Sequence, residues 1–186
     1  MSRRLLLVGL LAATPGQAHA PGRLEAGVPF IFEKPGISYA VFGQFVTGEE
    51  RFVIKVNHAV RFGAPVEIFV PHQRDLAAHR PAWALVGPGV GAPTEEELAA
   101  LPAPLPAGFG AVVELNQVSP RPVFFESVMR RFFWTSRPLA VVFPKGESEL
   151  WIWCPAKTPG KFGLGYGVEE GGGYMEAFDD WSFYAY

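Results

Sequence analysis

Residues 137–168 read RPLAVVFPKGESELWIWCPAKTPGKFGLGYGV, three strand signals joined by two turn signals. Leu139, Val141 and Phe143 alternate with Ala140 and Val142, and Pro144-Lys145-Gly146 ends the run, because proline and glycine stop a strand and open a turn. The first two strands are therefore expected to pair as a hairpin. In the second, Glu149 to Cys154, Leu150, Ile152 and Cys154 fall on one face and Trp151 and Trp153 on the other, since successive side chains of a strand point to opposite faces. A strand apolar on both faces belongs in the middle of a sheet with material packed on each side. Pro155 to Gly160 turns the chain again. The third strand sets Phe162, Leu164, Tyr166 and Val168 against Gly163, Gly165 and Gly167 at period two. A row of glycines leaves room for something bulky; the candidates are Trp151 and Trp153 across the hairpin, or aromatic side chains of a facing sheet.

The rest of the chain repeats this grammar. Val28 to Phe32, Ile37 to Val46, Arg51 to Asn57, Val66 to Val70, Trp83 to Val86 and Phe109 to Leu115 read as short strands separated by Gly- or Pro-containing turns. In Arg51 to Asn57, Phe52, Ile54 and Val56 oppose Val53, Lys55 and Asn57, the pattern of an edge strand with one wetter face. Thr94 followed by Glu97 forms a capping box ahead of Leu98 and Leu101, which predicts one short helix inside the insert Pro88 to Gly108. The segment Leu101 to Gly108, LPAPLPAG, is extended and cannot join a sheet interior, so it belongs on the surface. Val123 to Thr135, VFFESVMRRFFWT, fits both helical spacing through Phe124, Val128 and Phe132 and a bent strand. Phe178 to Tyr186 is aromatic and reads as a last strand or a lid. With turn signals about every 8 to 12 residues, the pattern predicts an all-β, antiparallel, jelly-roll-like β-sandwich with one short helix.

The first twenty residues have the layout of an export signal: Arg3 and Arg4, an apolar run from Leu5 to Ala13, then Ala18-His19-Ala20 with small residues at a cleavage spacing. Pro21 is a poor residue to follow a cut at Ala20, which makes Ala18 a rival site, and Ser2-Arg3-Arg4 bears a slight likeness to a twin-arginine signal. Domain boundaries follow: a signal over residues 1–20, a short mobile segment over 21–27, and a single sandwich over 28–186. The expected location is periplasmic or secreted. The leader's apolar run is shorter than the roughly 20 residues a spanning helix needs, and no later segment approaches that length. Removing the leader takes away two of the 16 basic residues and leaves all 18 acidic ones, a net charge of −4. No basic block of the kind that grips nucleic acid is present. Cys154 is the single cysteine, so no internal disulfide can form, and it reads as a small buried apolar residue.

The series ISYAVFGQFVTGEERFVIKV, PVEIFVP, PAWALVGPG, LAVVFPKGESELWIW and GKFGLGYGVEE resembles bacterial secreted jelly-roll modules of the pre-peptidase C-terminal kind, and is similar to GOLD-type sandwiches. In those modules a strand ends in a glycine turn, a paired strand follows, and a Gly-Lys-Tyr-like step opens the last strand; Gly160-Lys161-Phe162 fills that step here. The resemblance spans roughly Ile37 to Val168. The Pro88 to Gly108 insert departs from it, and the usual tandem protease is absent. It implies a sandwich fold and a duty in binding or anchoring, and it transfers no site residue.

Chemistry-bearing residues are sparse. No G-x-S-x-G turn is present, and Cys154 sits within a strand rather than a loop. Glu126 beside Arg130 and Arg131 reads as a surface ion pair. The expectation is therefore a non-catalytic binding or assembly module of the cell envelope, without a cofactor, whose ligand is a partner protein or a polysaccharide. The 26 aromatic residues are mostly core; Trp134, Trp181 and Tyr184 are the candidates for an exposed binding face. A second reading is capture of copper or zinc by His72 and His79 with His58 and Asp75, although these histidines read better as solvated loop residues. Glu169, Glu170, Glu176, Asp179 and Asp180 around Gly171-Gly172-Gly173 could offer oxygens to calcium, yet lack the ligand order of an EF-hand. A third reading is a small outer-membrane β-barrel, which needs strands of roughly 9 to 11 residues.

Overall fold

The computed structural model describes residues 19–126 and 129–167. All but the last two residues of the expected leader, the acidic glycine loop and the aromatic tail lie outside these residues. Twelve strands are β1 Ala20–Arg23, β2 Phe30–Ile31, β3 Tyr39–Phe45, β4 Arg51–His58, β5 Phe62–Pro71, β6 Ala82–Pro88, β7 Phe109–Glu114, β8 Val123–Glu126, β9 Arg131–Thr135, β10 Leu139–Phe143, β11 Gly146–Trp153 and β12 Gly160–Tyr166. They form a β-sandwich. One sheet runs β1-β3-β12-β5-β9-β8, with β10 also paired to β5; the other runs β2-β4-β11-β6-β7. The pairing is antiparallel except at two edges, where the short strands β1 and β2 lie parallel to β3 and β4.

Period-two alternation is the cause of the core. Val41 and Phe45 of β3, Phe52, Ile54 and Val56 of β4, Leu150 and Ile152 of β11, and Phe162, Leu164 and Tyr166 of β12 all turn into one cluster between the sheets. Trp83 of β6 lies in it fully buried, and its indole N–H has no hydrogen-bond partner. The orphan N–H costs about 1–3 kcal/mol. Burying ~200 Å² of aromatic surface at about 25 cal/mol per Å² contributes about 5 kcal/mol, so the burial wins.

β11 occupies the centre of its sheet, between β4 and β6, as its two apolar faces require. Trp151 and Trp153 point away from the core and are covered by Leu101, Ala103 and Leu105 of the insert and by Phe109 of β7. The insert's helix α1, Glu95–Ala100, carries the capping box: the Thr94 hydroxyl accepts from the Glu97 amide, and the Glu97 carboxylate accepts from the Thr94 amide.

Several expectations are corrected. β10 and β11 do not form a hairpin: Leu139–Phe143 pairs with Phe62–Val66 of β5, while β11 belongs to the other sheet, so Pro144-Lys145 carries the chain between sheets. Neither Trp151 nor Trp153 faces the glycine row. A β-carbon on Gly163 would collide with the ring of Phe69, a residue of the adjacent strand on the same outer face. β4 is second in its sheet because the two-residue β2 takes the edge. The segment 21–27 is not mobile throughout: Gly22 and Leu24 are buried, and the Leu24 amide donates to the Phe42 carbonyl. The barrel reading fails, because among the described residues the two sheets end at separate strands and face each other across a filled core. No helix among the described residues is long and apolar enough to cross a membrane.

Candidate functional site

The ambiguous run Val123 to Thr135 resolves into two antiparallel strands, β8 and β9, at the rim of the larger sheet. Arg130 takes a left-handed conformation (φ 53°) in the turn between them, and the Glu126 carboxylate accepts the amide of Met129. Glu126 thus stabilises a turn. Aromatic and β-branched residues favour the pleated arrangement over a helix because cross-strand partners can pack directly.

The two faces of this hairpin differ. On the face turned away from the second sheet, Phe124 stacks on Phe133 with centroids 5.7 Å apart, and Phe133 meets Phe69 edge-on at 5.4 Å. Phe133 is the anchor and is buried. On the other face, Val123 opposes Trp134 and Phe125 opposes Phe132. Phe125 and Phe132 are 53% and 57% exposed, with ring centroids 5.1 Å apart, and Val123 beside them is 48% exposed. Each phenylalanine, about half exposed, forgoes about 1–1.5 kcal/mol that full burial would contribute. A contiguous exposed apolar patch on a sheet edge is a feature of interaction surfaces.

Trp134, the sequence candidate, is partly buried against the core. The His72 ring lies 4.4 Å from it and the Arg121 guanidinium 4.6 Å, so both groups occupy its surface. Trp181 and Tyr184 lie outside the described residues. Phe125 and Phe132 were missed in sequence because a core phenylalanine and an exposed one look alike until the strand register is known.

The candidate metal ligands are not brought together. His58 is buried at the end of β4: its Nε2 lies 2.9 Å from the Tyr166 hydroxyl, which donates to the Pro35 carbonyl at 2.6 Å, and its ring stacks on Phe62. Burial lowers the His58 pKa, and burial followed by the neighbouring Tyr39 pushes the Tyr166 phenol well above its ordinary range. His72 and Asp75 are exposed. His79 is buried, with Nδ1 2.9 Å from Thr158 Oγ1 and 3.7 Å from Cys154 Sγ. Burial first, and then the charge of Arg121, bring its pKa down to about 4. His58 and His79 are thus interior groups rather than solvated loop residues, because β4 and the loop after β5 fold them under aromatic side chains. Among the described residues no three His, Cys, Asp or Glu side chains gather.

Cys154 is buried beside His79 and Thr158, as its place in the sequence predicts. At neutral pH the adjacent imidazole is uncharged, and its Nε2 lies against the Cα of Gly160 with no hydrogen-bond partner. The group is a packed interior cluster. Nearby, a cleft of about 430 Å³ is lined by Trp153, Leu101, Pro102, Gln117 and Lys157, with the exposed Lys157–Glu49 pair (3.1 Å) at the same place.

No protein-family model matches the chain, and no curated protein matches it. Among solved structures, the chain is similar to the pre-peptidase C-terminal domain of collagenase from Bacillus anthracis, a domain of the kind that the strand-and-turn pattern resembles. The identity is 10%, the match covers 82% of this chain and 99% of that one, and the TM-score is 0.38. At that identity the likeness transfers neither ligand nor site.

Proposed function

We propose that this chain is a non-catalytic module, exported to the cell envelope, that docks a partner protein on the β8–β9 hairpin. The observation that carries the reading is the exposed Phe125–Phe132 pair, with Val123, on the outermost hairpin of the larger sheet. β8 ends that sheet. An extended partner segment laid along β8 would gain main-chain hydrogen bonds from the open edge and bury the aromatic pair under alternate side chains. A polypeptide suits this surface better than a polysaccharide. Sugar rings stack on open aromatic faces, and Trp134, the tryptophan on this hairpin, is already covered by His72 and Arg121.

The test is titration of the purified chain with a binding partner isolated from the same envelope, comparing wild type with Phe125→Ser/Phe132→Ser. Loss of about 2 kcal/mol or more, roughly thirtyfold in Kd, is the expected result for two central apolar residues. Equal affinity in the double variant removes the hairpin from the proposal. Turnover of an ester, peptide or glycoside substrate by the pure protein overturns the non-catalytic reading.

A further inference from the structure

The larger sheet has a second apolar surface, on the face turned away from the core. Phe42 of β3, Phe69 of β5 and Phe133 of β9 form a cluster there, and only Ala40, Phe124 and Met129 among the described hydrophobic residues pack against it. Its floor is the glycine side of β12, where Gly163 and Gly165 admit the ring of Phe69. All three phenylalanines are nevertheless 5% exposed or less. A sheet face normally reaches that level of burial when another layer lies over it.

The charged residues on the same face include three cations and two carboxylates: Glu67, opposite Gly165, accepts from Thr135, and Glu126, opposite Arg131, accepts the Met129 amide. Arg23 stands opposite Phe42 in the register, Lys161 lies two residues before Gly163 and Arg131 two before Phe133, so all three side chains share the phenylalanines' face. Lys161 and Arg131 are close enough that the charge of Arg131, after burial, lowers the Lys161 pKa. Such a surface attracts a cover that is apolar and negatively charged.

The chain itself supplies a segment of that composition. After Gly167 it continues for 19 residues, VEEGGGYMEAFDDWSFYAY, with five carboxylates, no lysine or arginine, and six aromatic residues. The segment leaves from the end of β12, the strand that carries the glycine floor. Nineteen residues reach up to about 60 Å when extended, whereas the cluster lies within three strand spacings of β12, roughly 15 Å.

We infer that residues 168–186 dock intramolecularly across the outer face of the larger sheet, seating aromatic side chains on Phe42, Phe69 and Phe133 and directing carboxylates at Arg23, Lys161 and Arg131. The inference is independent of what binds the β8–β9 hairpin, since that aromatic pair points to the opposite face.

Cysteine pairs in the full-length chain test it, with Cys154 replaced by alanine and Ala177→Cys or Ser182→Cys combined with Gln44→Cys on the outer face of β3. The control pair places the second cysteine at Asn57, exposed on the outer face of the other sheet. The expected result with a short bismaleimide is an intramolecular crosslink several-fold more abundant for Gln44→Cys than for Asn57→Cys, falling as salt is raised. A further variant, Lys161→Glu/Arg131→Glu, reduces the Gln44→Cys yield while the circular dichroism spectrum is retained. Equal yields for the two faces, no crosslink at Gln44→Cys, or a crosslink found only in dimers each overturns the inference; the last outcome assigns the face to a second copy.

Discussion

His79 holds its Nδ1 2.9 Å from the Thr158 hydroxyl and lays its ring on Gly160, where a β-carbon would come within 2.7–2.9 Å of three ring atoms. The contact joins the loop after β5 to the turn that opens β12 and leaves no room for a hydration shell around a charged imidazole. The folded protein therefore keeps His79 neutral, with a pKa of about 4 against an ordinary 6.5.

The sign of the pH dependence follows. Between pH 6.5 and 4 the unfolded chain binds a proton at His79 that the folded chain does not, so stability is full above pH 6.5 and is lost as pH falls towards 4. At roughly 1.4 kcal/mol per unit the loss is about 3 kcal/mol, and the lowered pKa of His58 acts in the same direction. Urea midpoints measured from pH 7.5 to 4 are expected to fall in the wild type and to fall less steeply in His79→Gln. Parallel slopes in the two proteins would show that His79 is not the titrating group.

Gly48 has φ +87°, and a β-carbon there would run into the backbone of Lys157 and lie 2.7 Å from the Thr158 nitrogen. Gly48→Ala combines a left-handed alanine with a collision against main chain that cannot rotate away, and should cost about 3 kcal/mol. Gly63 has nothing within 4 Å of the same position, so Gly63→Ala should change stability by less than about 0.5 kcal/mol. Thermal melts of the two variants separate these cases, and similar melting temperatures would contradict the assignment.

Phe125 and Phe133 lie on adjacent strands of one hairpin, yet the first is 53% exposed and the second 1%. Phe133→Ala should cost about 3–5 kcal/mol, whereas Phe125→Ser or Phe132→Ser, each losing a half-buried ring and its cross-strand partner, should cost about 1–2 kcal/mol. Urea unfolding checks the contrast. Strong destabilisation by Phe125→Ser would mean that the exposed pair serves the fold rather than a partner.

Cys154 is 3% exposed, with Sγ 3.2 Å from Thr158 Oγ1. Its thiol should react with an aromatic disulfide reagent only as fast as the sandwich opens, and at once in concentrated urea. Complete labelling in native buffer within the mixing time would place the thiol at the surface.

The Ala20 amide donates to Ser38 O at 2.9 Å, and its side chain is buried. Cleavage of the leader after Ala18 keeps this residue in β1, whereas cleavage after Ala20 removes the bond and the packing. If the chain is exported through a cleaved leader, as proposed above, intact-mass analysis of the mature protein should therefore find His19 at the amino terminus. A chain beginning at Pro21 would contradict this.

Much of the architecture could be read locally. Alternation at period two marked β4, β11 and β12 and assigned their faces, because side-chain direction in a strand depends only on position along it. Two apolar faces placed β11 at the centre of a sheet. Thr94 and Glu97 announced α1, since a capping box is completed within four residues.

What only the tertiary structure decided was which strands meet and which side chains end up dry. Phe143 pairs with Phe62 across 81 positions, and nothing in Pro144-Lys145-Gly146 distinguishes a turn within one sheet from a crossing between two. The same holds for His79, which lies in a polar stretch but is buried because Gly160, Phe45 and Thr158 converge on it from distant segments. Phe125 and Phe133 are chemically identical, and the register of β8 and β9 on the edge of β5 alone determines that one faces water and the other the ring of Phe69. Burial is a property of what packs from elsewhere in the chain, so the candidate site became visible only when the sheets were assembled.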